Sequence, residues 1–410
     1  MNLRTSLILI CCMMFSLLQA QTFTNFTVDD GLIDNTVNAM AMDASGNIWM
    51  GTQNGITFYD ANTMGFSSYD QSTSPDLIDN SITAVTVASN GDVWFGTDFG
   101  ISVFDGTNWS SFTDADGLGN NRINYIKEGP NGKVWVGERS GLSVYDAGSW
   151  TTYGTSEGIP FGGISHIDFE AEIAWLGTGL SGVLIYNGSD FIPLTEDDGL
   201  VDNRVRSIVI APNGDRWVGT AEGVSVFNVD NQLLTNHTRM YIMPPPDTLN
   251  PVEAIAIDMN GAAWVGVYVD YLVTVGGIAW STGFGWNDYD ETDGLVGPAV
   301  NDIVVDSKNN VWVATTTGVS MITNTTTSVE PTAEAIFSLY PNPVENVLNI
   351  DLKTASNEQV EIAILTTGMQ QVMSTRLQAA QQQASLHLGT LSAGVYFVKI
   401  GEQVEKIVVK

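Results

Sequence analysis

Three histidines stand where acid–base or metal chemistry could begin: His166, His237 and His387. No pair of them has the spacing that brings two imidazoles onto one metal. No Gly-x-Ser-x-Gly nucleophile elbow occurs. The two cysteines, Cys11 and Cys12, are adjacent inside an apolar N-terminal run. Beyond that run no disulfide, thiolate metal site or cysteine nucleophile is expected. Gly177-Thr-Gly179-Leu-Ser-Gly182 spells a dinucleotide-binding fingerprint. It falls in a turn followed by a strand, whereas that fingerprint must open a helix to present amide groups to a pyrophosphate. Carboxylates are abundant, 46 Asp+Glu against 15 Lys+Arg for a net charge of −31. Whether two of them flank a glycosidic bond depends on a separation that sequence does not give. The sequence assigns no catalytic residue, cofactor or metal ligand.

Binding residues are easier to nominate. The most irregular stretch is 229–290, where a long connection containing Met243-Pro-Pro-Pro-Asp247 precedes Tyr268, Tyr271, Trp280, Phe284, Trp286 and Tyr289. Irregular loops on a rigid scaffold carry function, and aromatic faces suit sugars and peptides. Tyr268, Tyr271, Trp280 and Trp286 are therefore the candidate ligand-binding residues; the competing reading is a degenerate segment that tolerates insertions. Acidic turns recur at Asp29-Asp30-Gly31-Leu32, Asp116-Gly117-Leu118, Asp198-Gly199-Leu200 and Asp293-Gly294-Leu295. Calcium is a conceivable ligand there, yet none has the spacing of an EF-hand loop ending in Glu, and Asp-Gly is ordinary turn chemistry. The negative field makes nucleic acid and anionic membrane surfaces poor partners.

The elements that hold these residues come from a repeat. Gly-Asn-Ile-Trp-Met-Gly-Thr around Trp49 recurs around Trp94, Trp135, Trp175, Trp217, Trp264 and Trp312, at spacings of 45, 41, 40, 42, 47 and 48 residues. Each unit opens with a run such as Val37-Asn-Ala-Met-Ala-Met-Asp43, apolar at alternate positions. The Trp strand, a third strand such as Ile56-Thr-Phe-Tyr59 and an aromatic fourth such as Phe66-Ser-Ser-Tyr69 follow. Four short strands per unit predict one blade of a β-propeller, and seven units predict seven blades. Phe23-Thr-Asn-Phe26-Thr-Val28 is a fourth strand without its first three, and the last unit ends near Met321 after its third. The N-terminal strand is expected to complete the last blade, closing the ring and removing exposed edges. The seven Trp read as packing between blades, and the Gly that follows in six of the units allows close approach.

The ends differ. Asn2-Leu3-Arg4 and the apolar run from Ser6 to Leu18, with Ala20 before the cut, read as a signal peptide over 1–20. That run is too short to span a bilayer, and no other stretch approaches the length of a transmembrane helix. The propeller is expected over 21–326, a Thr-rich linker over 327–335, and over 336–410 short alternating strands that suggest a small Ig-like β-sandwich. The fold class is all-β throughout.

The pattern Trp-x-Gly-Thr-x-x-Gly-(Val/Ile)-Ser-Val-(Tyr/Phe)-Asp followed by Asp-Gly-Leu resembles the two-component regulator propeller repeat, over roughly 22–326. It weakens in the fourth unit at Glu170-Ala-Glu and in the sixth at Val267-Tyr-Val. That resemblance implies a seven-bladed propeller of the kind found in sensor regions of hybrid histidine kinases and in stand-alone secreted proteins. Leu339-Tyr-Pro-Asn-Pro343, the strand after it, Ala393-Gly-Val-Tyr-Phe-Val-Lys-Ile400 and Lys406-Ile-Val-Val-Lys410 are similar to the type A C-terminal sorting domain of the type IX (Por) secretion system. This implies a Bacteroidota-type bacterium, passage through the periplasm, the type IX machinery as a partner, and a cell-surface or secreted destination. The function expected is non-enzymatic binding of a surface protein or glycan. A polysaccharide lyase or hydrolase on a propeller scaffold is the alternative, and a ligand sensor acting through a partner is a third.

Overall fold

In a computed structural model of the chain, residues 21–241, 250–270, 274–283 and 285–323 are described in the propeller. The C-terminal region is described over 337–341, 343–344, 346–352, 360–366, 371–377, 383–389, 391–392, 394–400 and 403–410. The expected signal peptide, the linker, Tyr271, Phe284 and the Met243–Asp247 segment lie outside the described residues. The chain divides into two compact units at Thr325 and Thr326.

The first unit is a closed propeller of seven four-stranded antiparallel sheets. The second strands Ile48–Thr52, Val93–Thr97, Val134–Glu138 and Val311–Thr315 are buried at every residue. Such strands sit mid-blade with both faces covered by neighbouring blades, which is why they read as continuous apolar runs. Fourth strands such as Gly65–Tyr69 lie at the rim and are mostly solvated. The inner strands depart from strict alternation: in Val37–Met42 the buried residues are Val37 and Met40, three apart. A β-bulge at Asn38 inserts one unpaired residue and shifts the phase of burial.

The hydrophobic cores lie between blades. Trp49 packs with Ile82, Phe95 and Phe104 of blade 2, Trp94 with Ile123, Ile126 and Val136 of blade 3, and Trp312 with Val37, Met40 and Ile48 of blade 1. A buried indole contributes most of its face to such a seam. The glycine two residues later is demanded by the same seam. A Cβ on Gly51 would lie 2.4 Å from Cγ2 of Ile82, and one on Gly96 would lie 2.5 Å from Cγ2 of Ile123. Blade 7 closes the ring by pairing Thr22–Phe26 with Gly318–Thr323, Phe26 opposite Val319. Phe26 then stacks on Trp312 with centroids 5.6 Å apart.

The second unit has a three-stranded sheet, Phe337–Tyr340, Val347–Leu352 and Gln383–His387. Its other sheet has four strands in the order Gln371–Leu377, Val360–Thr366, Gly394–Ile400 and Gln403–Val409. One core joins the two sheets, with Phe337, Leu348 and Ile350 from one meeting Ile362, Ile364, Val398 and Ile407 from the other.

Candidate functional site

The seven inner strands surround a central cavity of ≈ 510 Å³. Every inner strand carries a bulge at its second residue, where the ladder to the second strand skips one position. The skipped residues are polar, and the bulge turns most of them towards the next blade. Asn38 Nδ2 donates to Ile82 O at 2.8 Å, Thr83 Oγ1 to Ile123 O at 2.7 Å, Asn124 Nδ2 to Ile164 O at 2.9 Å and Ser165 Oγ to Val205 O at 2.7 Å. Asn301 Nδ2 closes the circle onto Val37 O at 2.8 Å. In blades 5 and 6 the same position holds Arg206 and Glu253, which form an ion pair instead. Each innermost strand lacks a neighbour on its channel side, so these bonds satisfy carbonyls that would otherwise face the cavity.

The next layer holds the titratable groups. The third inner-strand residue is small in four blades, Ala39, Ala84, Ser207 and Ala254. In the others it is Tyr125, His166 and Asp302, all lining the cavity. The rings of Tyr125 and His166 meet tilted by 33°, with centroids 3.9 Å apart. Lys127 Nζ donates to Asp168 Oδ1 at 2.7 Å, and Asp168 Oδ2 accepts from Ile210 N at 2.7 Å. Asp302 Oδ2 accepts from Met40 N at 2.7 Å and its Oδ1 from Ile303 N at 2.8 Å.

Burial governs how these groups titrate. It raises Asp302 to about 6 against the pull of those two amides and of Lys127. It lowers His166 to about 3, with Lys127 adding repulsion. Burial also pushes Tyr125 well above the ordinary phenol range, aided by the charges of Asp302 and Asp168. His166 Nδ1 accepts from Ile208 N at 3.2 Å, so the neutral ring carries its proton on Nε2 and can donate there but not accept. Sequence reasoning singled out His166 but not its neighbours. The signal was available: Tyr125, His166 and Asp302 break a column of the repeat that is otherwise Ala or Ser.

On one face of the ring, the acidic turns show why Asp-Gly-Leu recurs. Asp30 Oδ2 accepts from Thr27 N at 2.9 Å and Thr27 Oγ1 at 3.0 Å. Asp116 and Asp198 cap Thr113 and Thr195 in the same way. The following glycine takes the left-handed conformation, φ +122° at Gly31 and +105° at Gly117. Leu32, Leu118, Leu200 and Leu295 then plug the core. Each aspartate thus answers a local amide and hydroxyl. Among the described residues, no group of three or more His, Asp or Glu side chains comes close enough to hold a metal ion.

The blade-six aromatics among the described residues are held in two ring clusters and one strand. Trp280 is half-buried and stacks on Trp264 at 5.6 Å and on Tyr289 at 6.5 Å. Trp286 Nε1 donates to His237 Nδ1 at 3.3 Å, and His237 in turn stacks on Trp217. Tyr268 is half-buried in the long strand Ala263–Asp270, which pairs along its length with Thr274–Ser281. His387 lies in the C-terminal unit.

Comparison with known proteins agrees with both units. Residues 338–410 match the family described as the secretion system C-terminal sorting domain. Residues 31–54 and 76–99 match the two component regulator propeller. No curated protein matches the sequence at a significant level. Among solved structures, the extracellular domain assigned to hybrid two component system BT3049 from B. thetaiotaomicron is similar, with a TM-score of 0.62 at 19% identity. The match covers 95% of this chain and 57% of that one, so this chain spans little over half its length. A catalytically inactive virginiamycin B lyase from Staphylococcus aureus with quinupristin aligns with a TM-score of 0.59 at 14% identity, over 74% of this chain and 99% of that one. YCF48 bound to D1 peptide aligns with a TM-score of 0.55 at 13% identity, over 76% and 97%. At these identities the likeness is one of fold. The sorting domain implies interaction with the type IX machinery and export to the cell surface or beyond. The chain is thus a closed propeller in which two segments match the two component regulator propeller, followed by a region that matches the secretion system C-terminal sorting domain.

Proposed function

We propose that this protein passes through the periplasm, is exported, and binds a protein or glycan ligand at or beyond the cell surface without transforming it. The observation that carries this reading is the union of a sorting domain with a closed propeller. Function then rests on loops held by a rigid ring. The channel chemistry supports binding over turnover. The Nδ1 of His166, both oxygens of Asp168 and both of Asp302 already accept hydrogen bonds, several of them from backbone amides. Among the described residues of the blade-six set, Tyr268 is the one able to meet a ligand at least cost to the packing, since Trp280 and Trp286 are committed to neighbouring rings. The purified propeller should bind a surface glycan or an exported protein saturably and return it unchanged. Turnover of the bound molecule sinks the reading.

The lyase or hydrolase alternative draws on one observation, the presence of Tyr125, His166 and Asp302 around one cavity. A carboxyl titrating near 6 is suited to general-base work. If polysaccharide cleavage is found, Asp302→Asn should lower it by about a hundredfold or more. An unchanged rate removes Asp302 from the reaction.

A further inference from the structure

Fifteen Lys and Arg serve the whole chain, nine of them within 21–326, and blades 1, 2, 4 and 6 contain none. Against that scarcity, Arg122 and Arg139 stand together and exposed on one face of blade 3. Arg139 N donates to Arg122 O at 3.0 Å. Arg122 Nε reaches Asp98 of blade 2 at 4.0 Å, beside Phe99. The Arg139 guanidinium has no carboxylate partner among the described residues.

Apolar side chains surround this pair. The loop entering blade 4 lies directly on the blade-3 turn: a Cβ on Gly163 would lie 1.9 Å from Glu138 O and 2.5 Å from the carbonyl carbon of Arg139. That loop carries Phe161. The blade-4 turn follows, with a Cβ on Gly179 3.7 Å from Gly162 O, and it carries Leu180. Phe161 is 85% exposed, Phe99 63% and Leu180 61%. Isolated exposed apolar residues need no explanation, but three of this size on successive turns around two arginines form an unpartnered surface.

We propose that the turns bearing Phe99, Arg139, Phe161 and Leu180 dock an acidic peptide segment of a partner protein, one whose carboxylates flank aromatic or aliphatic side chains. This rests on the reading of the protein as a binding propeller. Charge selects the partner's sign, because a basic segment would meet these arginines while an acidic one complements them. A glycan is the poorer occupant. The hydroxyl and amide groups nearby are already paired, Asn120 Nδ2 to Ser140 Oγ at 2.8 Å. What remains free is one guanidinium among Phe and Leu, a combination typical of protein–protein contacts.

The test uses the full chain and a short synthetic peptide alternating Asp or Glu with Phe or Leu, beside the same peptide with Lys in place of the acids. Fluorescence anisotropy should show the acidic peptide binding and the basic one not. Arg139→Ala, Phe161→Ser and Leu180→Ser should each weaken binding by about tenfold, with the melting temperature unchanged because all three side chains are exposed. Raising salt should weaken binding chiefly through the association rate. Equal binding of both peptides, or wild-type affinity in all three variants, overturns the proposal. Failure of the acidic peptide to bind also overturns it. If a surface glycan or exported protein still binds, the wider binding function survives that failure; if nothing binds, both fall.

Discussion

Glu138 sits where blades 1, 2, 4, 5 and 7 place Thr52, Thr97, Thr178, Thr220 and Thr315, each of which donates to the glycine carbonyl of its own turn. In the blade-3 turn Glu138 accepts where the threonines donate. Ser143 Oγ donates to Oε1, as does Gly119 N at 3.2 Å. The space is made by Gly119, whose Cβ would lie 2.7 Å from Oε2. Burial raises Glu138 to about 7 despite these donors. In the native state it therefore keeps its proton above pH 4.5, where the unfolded chain releases it. Its contribution to stability is full below that value and is lost as pH rises through about 7. The loss is at most roughly 3 kcal/mol. Glu138→Gln retains the acceptor and removes the titration. Its melting temperature should exceed that of the wild type at pH 8, with the gap closing as pH falls to 5. Asp302 titrates in the same direction in both proteins, so the difference between the two curves isolates Glu138. Parallel curves would refute its role.

Among the elements, the seams between blades bear the closest tolerances. Gly96 faces Ile123 across one seam, and Ala314 holds the corresponding place in blade 7. Gly96→Val should cost about 1–3 kcal/mol by overpacking, whereas Ala314→Gly should cost under about 1 kcal/mol. Urea denaturation of the two variants would reveal any reversal of that order. Such seams were legible in the sequence because the Trp-x-Gly spacing survives in nearly every unit. The count of blades and the closing role of Phe23 and Phe26 followed from the same repeat. The bulges were not legible. Asn38 and Ala39 together separate Val37 from Met40, and a run of mixed apolar residues does not disclose which one leaves the ladder. The channel cluster was hidden for a related reason. Tyr125, His166 and Asp302 come from three blades and line one cavity only because each occupies the same register in a closed ring. Leu180 sits in the repeated turn after a Trp strand and Phe161 in the loop before the fourth unit, and only their exposure on the folded surface distinguishes them.

At the scale of the whole molecule, the two units are independent in their cores. The propeller closes through its own N-terminal strand, Thr22 opposite Thr323 and Phe26 opposite Val319. All seven of its inter-blade clusters draw on residues before Thr323. The C-terminal cluster runs from Phe337 to Val409 and contains no propeller residue. Removing 336–410 should therefore leave a folded propeller with the melting temperature of the intact protein's first unit, because the inter-blade clusters draw on the propeller's own residues. Export should fail, since the sorting domain is what the secretion machinery recognises. The truncated protein is expected in the periplasm, while the same segment fused to a foreign periplasmic protein should carry it to the surface. Fractionation of a strain expressing each form decides the first point, and circular dichroism of the purified truncation decides the second. A truncated protein that reaches the surface or medium at normal levels would refute the sorting role. One that unfolds would show that the ring does not close on its own strand, and the pairing of Phe26 with Val319 would then need the tail to hold it.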